Sequence, residues 1–105
     1  MSKAPRTKKS LGQHFLHDGN IIRKIVASIP ANTGDKLVEI GPGSGALTEL
    51  LIQQFEDVTV IEVDSRMIEH LKERFNGIEI IHSDILDYDW TKLENTGKPV
   101  HVVGN

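Results

Sequence analysis

The chain has 105 residues, of which 38% are hydrophobic and 26% charged, an ordinary composition for a soluble globular domain or part of one. It contains no cysteine, which excludes a disulfide framework, a thiolate zinc site and a cysteine nucleophile. No apolar run approaches the roughly 18 residues of a membrane span. No apolar segment follows the first cations as it would in a signal peptide, so we expect a cytoplasmic location.

Positive charge is concentrated at the start of the chain. Of the 12 basic residues, four lie within the first nine positions, and all 15 acidic residues follow them. The four early cations are Lys3, Arg6, Lys8 and Lys9. A basic arm ahead of an acidic body is typical of phosphate contact at one end, although a solubilising tail would carry the same charge.

Helices and short strands alternate after this arm. Asp18 is a candidate cap for a first helix with apolar residues at helical spacing, and Pro30 ends it. The next predicted elements are a strand 36–40, a glycine turn 41–45, a helix 46–54, a strand 58–63, a helix capped by Asp64 and closed by Asn76-Gly77, a strand 78–81, a polar loop 84–89 and a strand 99–103. This alternation predicts an α/β, Rossmann-like fold with a mostly parallel sheet covered on both faces.

The segment "VEIGPGSGALT", residues 38–48, places a glycine-rich turn between a strand and a helix. Gly41, Gly43 and Ala46 satisfy the dinucleotide pattern G-x-G-x-x-G/A, and Glu62 follows about 20 residues later. The pattern favours a nucleotide-type cofactor over a merely tight turn. It does not choose between NAD and S-adenosylmethionine.

Small polar groups after the third and fourth strands favour S-adenosylmethionine. Asp84 can accept a hydrogen bond from an adenine amine, Glu62 can bind both ribose hydroxyls, and Gly41 can face the amino-acid end. Asn105 can stand where the transferable methyl group points. His14 and His17 have a spacing that suits a metal on a helix, but no carboxylate or thiolate set joins them, so we expect no metal site.

Five segments in order, "SLGQHFL", "VEIGPGSGALT", "VIEVD", "HSDIL" and the terminal "VVGN", resemble the small-subunit ribosomal RNA adenine dimethyltransferases over nearly the whole chain. The resemblance implies a class I methyltransferase that uses S-adenosylmethionine. The implied reaction is dimethylation of the exocyclic amine of two adjacent adenosines in small-subunit ribosomal RNA, during ribosome biogenesis. The implied partners are that RNA and the immature small subunit, with no membrane and no metal.

The resemblance also implies roles for individual residues. In this family the segment around His14 and Leu16 packs across the methionine end of the cofactor, largely through its backbone, although asparagine is the commoner residue at position 14. Gly41, Glu62 and Asp84 correspond to the other cofactor contacts. Asn105 is implied as both a cofactor contact and the catalytic residue that meets the target amine.

The family pattern continues after Asn105 with an apolar residue, proline and an aromatic residue. We therefore expect two parts: residues 1–17 as a basic arm and cofactor-covering segment, and residues 18–105 as the N-terminal half of a doubly wound, S-adenosylmethionine-binding domain. On this interpretation the 105 residues alone are inactive, and the complete protein is a monomer.

Three alternatives stay open at the level of the sequence. A large-subunit RNA adenine methyltransferase is the nearest, although those enzymes more often carry lysine where Ser44 stands. The second is an NAD-dependent Rossmann oxidoreductase. The third is a ribosome-assembly factor that binds RNA without catalysis.

Overall fold

The computed structural model describes residues 19–93 and 97–104. In chain order the elements within these ranges are α1 (Gly19–Ala27), β1 (Lys36–Ile40), α2 (Ala46–Gln54), β2 (Asp57–Glu62), α3 (Ser65–Arg74), β3 (Glu79–His82), a 3-10 helix (Trp90–Leu93) and β4 (Val100–Gly104). Asp18, the predicted cap of the first helix, lies outside these ranges.

The four strands form one parallel sheet in the order β3-β2-β1-β4. Leu37 of β1 lies opposite Val58 of β2 and His101 of β4. The chain moves outward from β1 to β3 and then returns to the other side of β1, so the strand order reverses between β1 and β4. In sheets of this kind ligands bind outside the carboxyl ends of the strands, at the point of reversal. The predicted α/β, Rossmann-like fold is confirmed.

The main core lies between the sheet and the helices α2 and α3, with α1 packed against α2. Leu37, Leu51 and Leu71 from β1, α2 and α3 have no measurable exposure. Val38, on the opposite face of β1, is equally buried. A strand buried on both faces explains why the apolar residues Leu37 and Val38 are adjacent in β1 rather than alternating with exposed ones.

Element boundaries differ slightly from the prediction. β1 and α2 have the predicted bounds, whereas β2, β3 and β4 are displaced by one residue from the predicted ranges. Val63 was expected in β2, but its amide donates to the side chain of Glu62 and the residue is 60% exposed. β4 begins after Pro99, whose carbonyl accepts from the Lys36 amide and which has no amide hydrogen of its own to donate.

Candidate functional site

The carboxyl ends of the strands bring three of the predicted site residues to one edge of the sheet. The Gly41 amide, after β1, donates to the Ile61 carbonyl at 2.9 Å, one residue before Glu62. The Ser83 amide, just before Asp84, donates to the Glu62 carbonyl at 3.0 Å. Glu62 is thus flanked by Gly41 and Asp84. His14, Leu16 and Asn105 lie outside the described residues, although Gly104 ends β4 directly opposite Ile40.

The glycine loop, residues 41–45, has three glycines in the left-handed region. The φ angles are +65° at Gly41, +58° at Gly43 and +97° at Gly45. A Cβ atom at Gly41 or Gly43 would meet nothing within 4 Å, so the backbone there is open to a ligand. At Gly45 a Cβ atom would lie 2.6 Å from the ring of Phe75. Gly41 and Gly43 therefore leave space above the loop, whereas Gly45 permits close packing of α2 against α3.

Arg74 and Phe75, neither of which was predicted from the sequence as a site residue, hold this loop in place. Arg74, the last residue of α3, donates to the Ser44 carbonyl at 2.7 Å and forms an ion pair with Glu49 of α2. Its guanidinium also lies 5.0 Å from the centre of the Phe75 ring, which packs on Gly45. The positive φ of Gly45 could have been suspected from its place at the helix start, but no local pattern indicates the contact of Arg74.

The carboxylate of Glu62 is held by backbone amides. One oxygen accepts from the Gly43 amide at 3.3 Å, and the other accepts from the amides of Val63 and Asp64, each at 3.0 Å. A carboxylate has about four acceptor positions, and the Gly43 contact is long. The Glu62 oxygen that faces the glycine loop can therefore accept further hydrogen bonds, as two neighbouring hydroxyl groups would require. The contacts with the backbone amides fix the direction of the side chain.

Asp84 lies in an exposed loop beside apolar side chains. Its Oδ1 accepts from the Leu86 amide at 2.9 Å, which leaves Oδ2 without a donor among the described residues. Leu86 is 88% exposed and Val63, next to Glu62, is 60% exposed. The ring of His82 contacts the Val63 carbonyl at 2.9 Å and links the two loops. Exposed apolar groups beside carboxylate acceptors suit a flat heteroaromatic ring with amine and hydroxyl donors, and adenosine fits this donor and acceptor set.

A buried carboxyl group lies beneath the same loop. Glu39 of β1 is 3% exposed, and the hydroxyl of Thr48 in α2 donates to its Oε1 at 2.5 Å. The pKa of Glu39 is raised to about 7, chiefly by burial; the negative charge of Glu62 acts in the same direction, and the Thr48 hydrogen bond opposes both. The only signal for this group in the sequence is a glutamate among apolar residues at the end of the predicted strand.

Other features lie away from this edge. A cavity of about 520 Å³ opens on the opposite face of the sheet, lined in part by Lys36, Glu79 and Tyr88. Trp90 packs edge-on against Tyr88, with ring centres 5.1 Å apart. Within residues 19–93 and 97–104 no three histidine or acidic side chains are grouped as a metal site would need. None of the described helices combines the length and the apolar character required to cross a membrane.

Comparison with known proteins gives a consistent picture at the level of sequence. Residues 4–105 match the family described as "Ribosomal RNA adenine dimethylase". The "Ribosomal RNA small subunit methyltransferase A" of Prosthecochloris aestuarii (strain DSM 271 / SK 413) is 45% identical over 98 residues, which are 93% of this chain and 37% of that protein. The protein of the same name from Coxiella burnetii (strain Dugway 5J108-111) is 41% identical over 108 residues, covering 100% of this chain and 41% of its own length. The chain thus spans about two fifths of the length of these relatives.

Solved structures share the fold. The 23S rRNA methyltransferase ErmE superposes with a TM-score of 0.72 and 30% identity, over 86% of this chain and 36% of its own. A dimethyladenosine transferase from Plasmodium falciparum gives a TM-score of 0.69 and 28% identity, over 84% of this chain and 32% of its own. The N-methyltransferase NodS from Bradyrhizobium japonicum WM9, solved with S-adenosyl-L-homocysteine, gives a TM-score of 0.58 and 26% identity, over 69% of this chain and 39% of its own.

These structures identify the Rossmann-like fold seen here as the class I methyltransferase type. The family match covers nearly the whole chain and includes the glycine loop, Glu62 and Asp84. The chain belongs to the ribosomal RNA adenine dimethylase family.

Proposed function

We propose that the protein containing this chain transfers methyl groups from S-adenosylmethionine to the exocyclic amines of two adjacent adenosines in small-subunit ribosomal RNA. The observation that carries the proposal is the grouping of an open glycine loop with Glu62 and Asp84 at the carboxyl edge of the sheet. Family membership adds the RNA substrate, and the names of the relatives add the small subunit. The reaction belongs to ribosome biogenesis.

The described residues fit S-adenosylmethionine in three places. Glu62 would accept from the ribose hydroxyls, with its direction fixed by the amides of Val63 and Asp64. Asp84 would accept from the adenine amine, between the exposed side chains of Val63 and Leu86. The open backbone of Gly41 would face the amino-acid end. When bound, the cofactor supplies a methyl group on an activated sulfonium, so the protein has to align the reactants rather than supply a strong base.

Three further residues complete the proposed site. His14 and Leu16 would cover the methionine end of the cofactor, largely through their backbone. Asn105 would accept a hydrogen bond from the adenosine amine through its side-chain oxygen. That bond draws the nitrogen lone pair away from the ring and favours the attacking form of the amine. The target base has to leave its stack to reach this edge.

The three alternatives differ from this proposal in the RNA substrate, in the cofactor or in the absence of catalysis. The large-subunit activity is less favoured because the curated relatives carry the small-subunit name at 41–45% identity, against 30% for ErmE. Ser44 at the position where large-subunit enzymes more often have lysine agrees with this preference. An NAD-dependent oxidoreductase would bind NAD in place of S-adenosylmethionine, and an assembly factor without catalysis would bind small subunits but transfer no methyl group.

We further propose that the full-length protein is a cytoplasmic monomer that recognises the immature small subunit, without a metal ion. These proposals rest on the family and on the basic residues Lys3, Arg6, Lys8 and Lys9. Light scattering of the purified protein, alone and with unmethylated small subunits, tests the monomer and the partner together. A stable homodimer would contradict the first proposal, and the absence of a complex would contradict the second.

The decisive experiment is single-turnover methyl transfer to unmethylated small subunits. We expect the full-length protein to dimethylate two adjacent adenosines, Asn105→Ala to lose about 10²-fold in rate with cofactor affinity little changed, and residues 1–105 alone to be inactive. Isolated large subunits and NAD serve as controls. Methylation of large subunits only, or binding of NAD but not of S-adenosylmethionine, would overturn the proposal.

A further inference from the structure

Glu39 and Thr48 form a buried polar pair at the base of the glycine loop. Thr48 has no measurable exposure and Glu39 is 3% exposed, and they are joined at 2.5 Å. No described residue donates to the other carboxyl oxygen of Glu39. Burying a carboxyl with one hydrogen bond is unfavourable, and an apolar residue of similar size would serve the core better. The pair therefore requires an explanation other than stability.

The pair spans the glycine loop. Glu39 lies two residues before Gly41, and Thr48 lies three residues after Gly45 in the first turn of α2. Their hydrogen bond links the end of β1 to the start of α2 and so ties the two ends of the loop together. From the outer side, the loop is held by Arg74 through the Ser44 carbonyl.

Among the described residues, the charged group that faces Glu39 is acidic, and the nearby basic side chains are exposed or paired. Glu62 of β2 faces it and is negative, while Glu49 of α2 is exposed and paired with Arg74. Val103 of β4 lies opposite Glu39 and carries no charge. The cations of α1, Arg23 and Lys24, are exposed. The described residues thus place a second carboxylate but no cation against Glu39, so a cationic ligand would add a positive charge that these residues do not provide.

We propose that Glu39 is a positioning residue for the cofactor: through Thr48 it fixes the glycine loop, and its carboxyl releases a proton to solvent when a cationic ligand occupies that loop. The inference rests on the proposed function, since S-adenosylmethionine carries a sulfonium and an ammonium group. In the free protein burial keeps the pKa of Glu39 raised to about 7, and a nearby cation lowers it. Below that pH binding has to expel a proton, so affinity rises with pH and levels off above it.

The test is calorimetric binding of S-adenosylmethionine to the full-length protein between pH 6 and pH 8, in two buffers of different ionisation enthalpy. We expect the wild type to bind about tenfold more tightly at pH 8 than at pH 6 after subtraction of the change seen with Glu39→Gln. That variant keeps the size of the side chain and its acceptor for Thr48 but has no proton to release. The amine of the ligand titrates in the same way in experiments with the wild type and with Glu39→Gln. The difference between their pH dependences of affinity therefore reports Glu39 alone. Glu69→Gln, the same change at an exposed position of α3, should behave like the wild type.

A second pair of variants tests the positioning role. Thr48→Val removes the hydroxyl that contacts Glu39, and Thr59→Val removes an equally buried hydroxyl on the opposite face of the sheet. We expect the first to weaken cofactor binding several-fold and the second to leave it unchanged. Equal affinities for the two variants would overturn the positioning role.

Carbon-detected NMR of the Glu39 carboxyl keeps the proposal testable if a variant does not fold. In the wild type this carboxyl should titrate near neutral pH when free and at lower pH in the complex. A titration near pH 4 in the free protein, or no change on binding, would overturn the inference. Failure to bind S-adenosylmethionine at every pH would overturn the proposed function as well, whereas binding with identical pH dependence in wild type and Glu39→Gln overturns the inference alone.

Discussion

At the residue scale, Glu62 is both a structural acceptor and a proposed ligand contact. Its carboxylate accepts from two backbone amides at the turn out of β2, those of Val63 and Asp64, and from one in the glycine loop, that of Gly43. A substitution there removes these contacts as well as any bond to a ribose. Because these three amides would lose their acceptor, Glu62→Ala is expected to affect stability as well as ligand binding.

We predict that Glu62→Ala weakens binding of S-adenosylmethionine by tenfold or more and lowers the melting temperature. A charge-assisted hydrogen bond is worth about 1.5–3 kcal/mol, and about 1.4 kcal/mol corresponds to tenfold in affinity. The control is Asp64→Ala, which removes the cap of α3 at a cost of about 1 kcal/mol but leaves the glycine loop untouched. Equal affinity of the two variants in a binding titration would show that Glu62 does not contact the cofactor.

We also predict a large difference between two glycine substitutions. Gly45→Ala combines a φ of +97° with a Cβ atom 2.6 Å from Phe75, and should lower the free energy of unfolding by about 2–4 kcal/mol. Gly97→Ala, with a φ of +73° and open space around the Cβ atom, should lower it by only about 1–2 kcal/mol. Urea unfolding of both variants gives the comparison, and similar losses would show that the Phe75 contact relaxes without cost.

At the element scale, polar side chains join the strands near their amino ends. Lys36 of β1 donates to Asp57 at 3.0 Å and to Thr59 at 2.6 Å in β2, and Lys98 donates to Asp57 at 2.7 Å. Asp35, directly before β1, contacts His101 of β4 at 3.1 Å. These contacts fix the register at the end of the sheet opposite the proposed site, and the glycine loop at the carboxyl edge is then positioned by the helices.

The Asp35 contacts predict a dependence of stability on pH. The backbone amide of Asn32, and then His101, hold the pKa of Asp35 below its usual value of 3.8. The carboxylate is therefore favoured in the folded state, so its contribution is present above the unfolded pKa and is lost as the pH falls through the folded pKa. We expect the urea midpoint to fall between about pH 5 and pH 3 and to fall less in Asp35→Asn. Asp87→Asn, in an exposed loop, is the control, and parallel curves for Asp35→Asn and wild type would refute the assignment.

At the scale of the whole molecule, the residues proposed to bind the cofactor and those proposed to bind RNA lie in different parts of the chain. The proposed cofactor residues Gly41, Glu62 and Asp84 lie at the carboxyl edge of the sheet, and the acidic residues all belong to the body after position nine. The basic residues Lys3, Arg6, Lys8 and Lys9 belong to the arm, outside the described residues. RNA affinity is therefore expected to depend on the arm more than on the body.

We predict that replacing the four arm cations by alanine in the full-length protein flattens the salt dependence of RNA binding. Each phosphate contact contributes about 0.7–0.9 to the slope of log affinity against log salt, so the slope should fall by up to about 3.6 if all four cations contact phosphate. The control replaces four exposed cations of the body: Arg23, Lys24, Lys72 and Lys92. An unchanged slope for the arm variant, or an equal change for the control, would mean that the arm does not contact phosphate.

The sequence by itself determined the order of strands and helices and the grouping of three residues of the proposed site. Apolar periodicity is local, so it located β1, α2 and the other elements to within about two residues, although it gave no sign of the 3-10 helix at Trp90–Leu93. Because parallel strands end at one edge, residues after successive strands had to meet, and Gly41, Glu62 and Asp84 do.

Only the tertiary structure decided the contacts that hold these residues. Arg74 reaches Ser44 across 30 positions, and His101 reaches Asp35 across 66. The burial of Glu39 depends on α2 lying over β1. Such contacts follow from the register of the sheet and the packing of helices on it, which no run of neighbouring residues encodes, because the energy of each contact is realised only when distant segments are already in place.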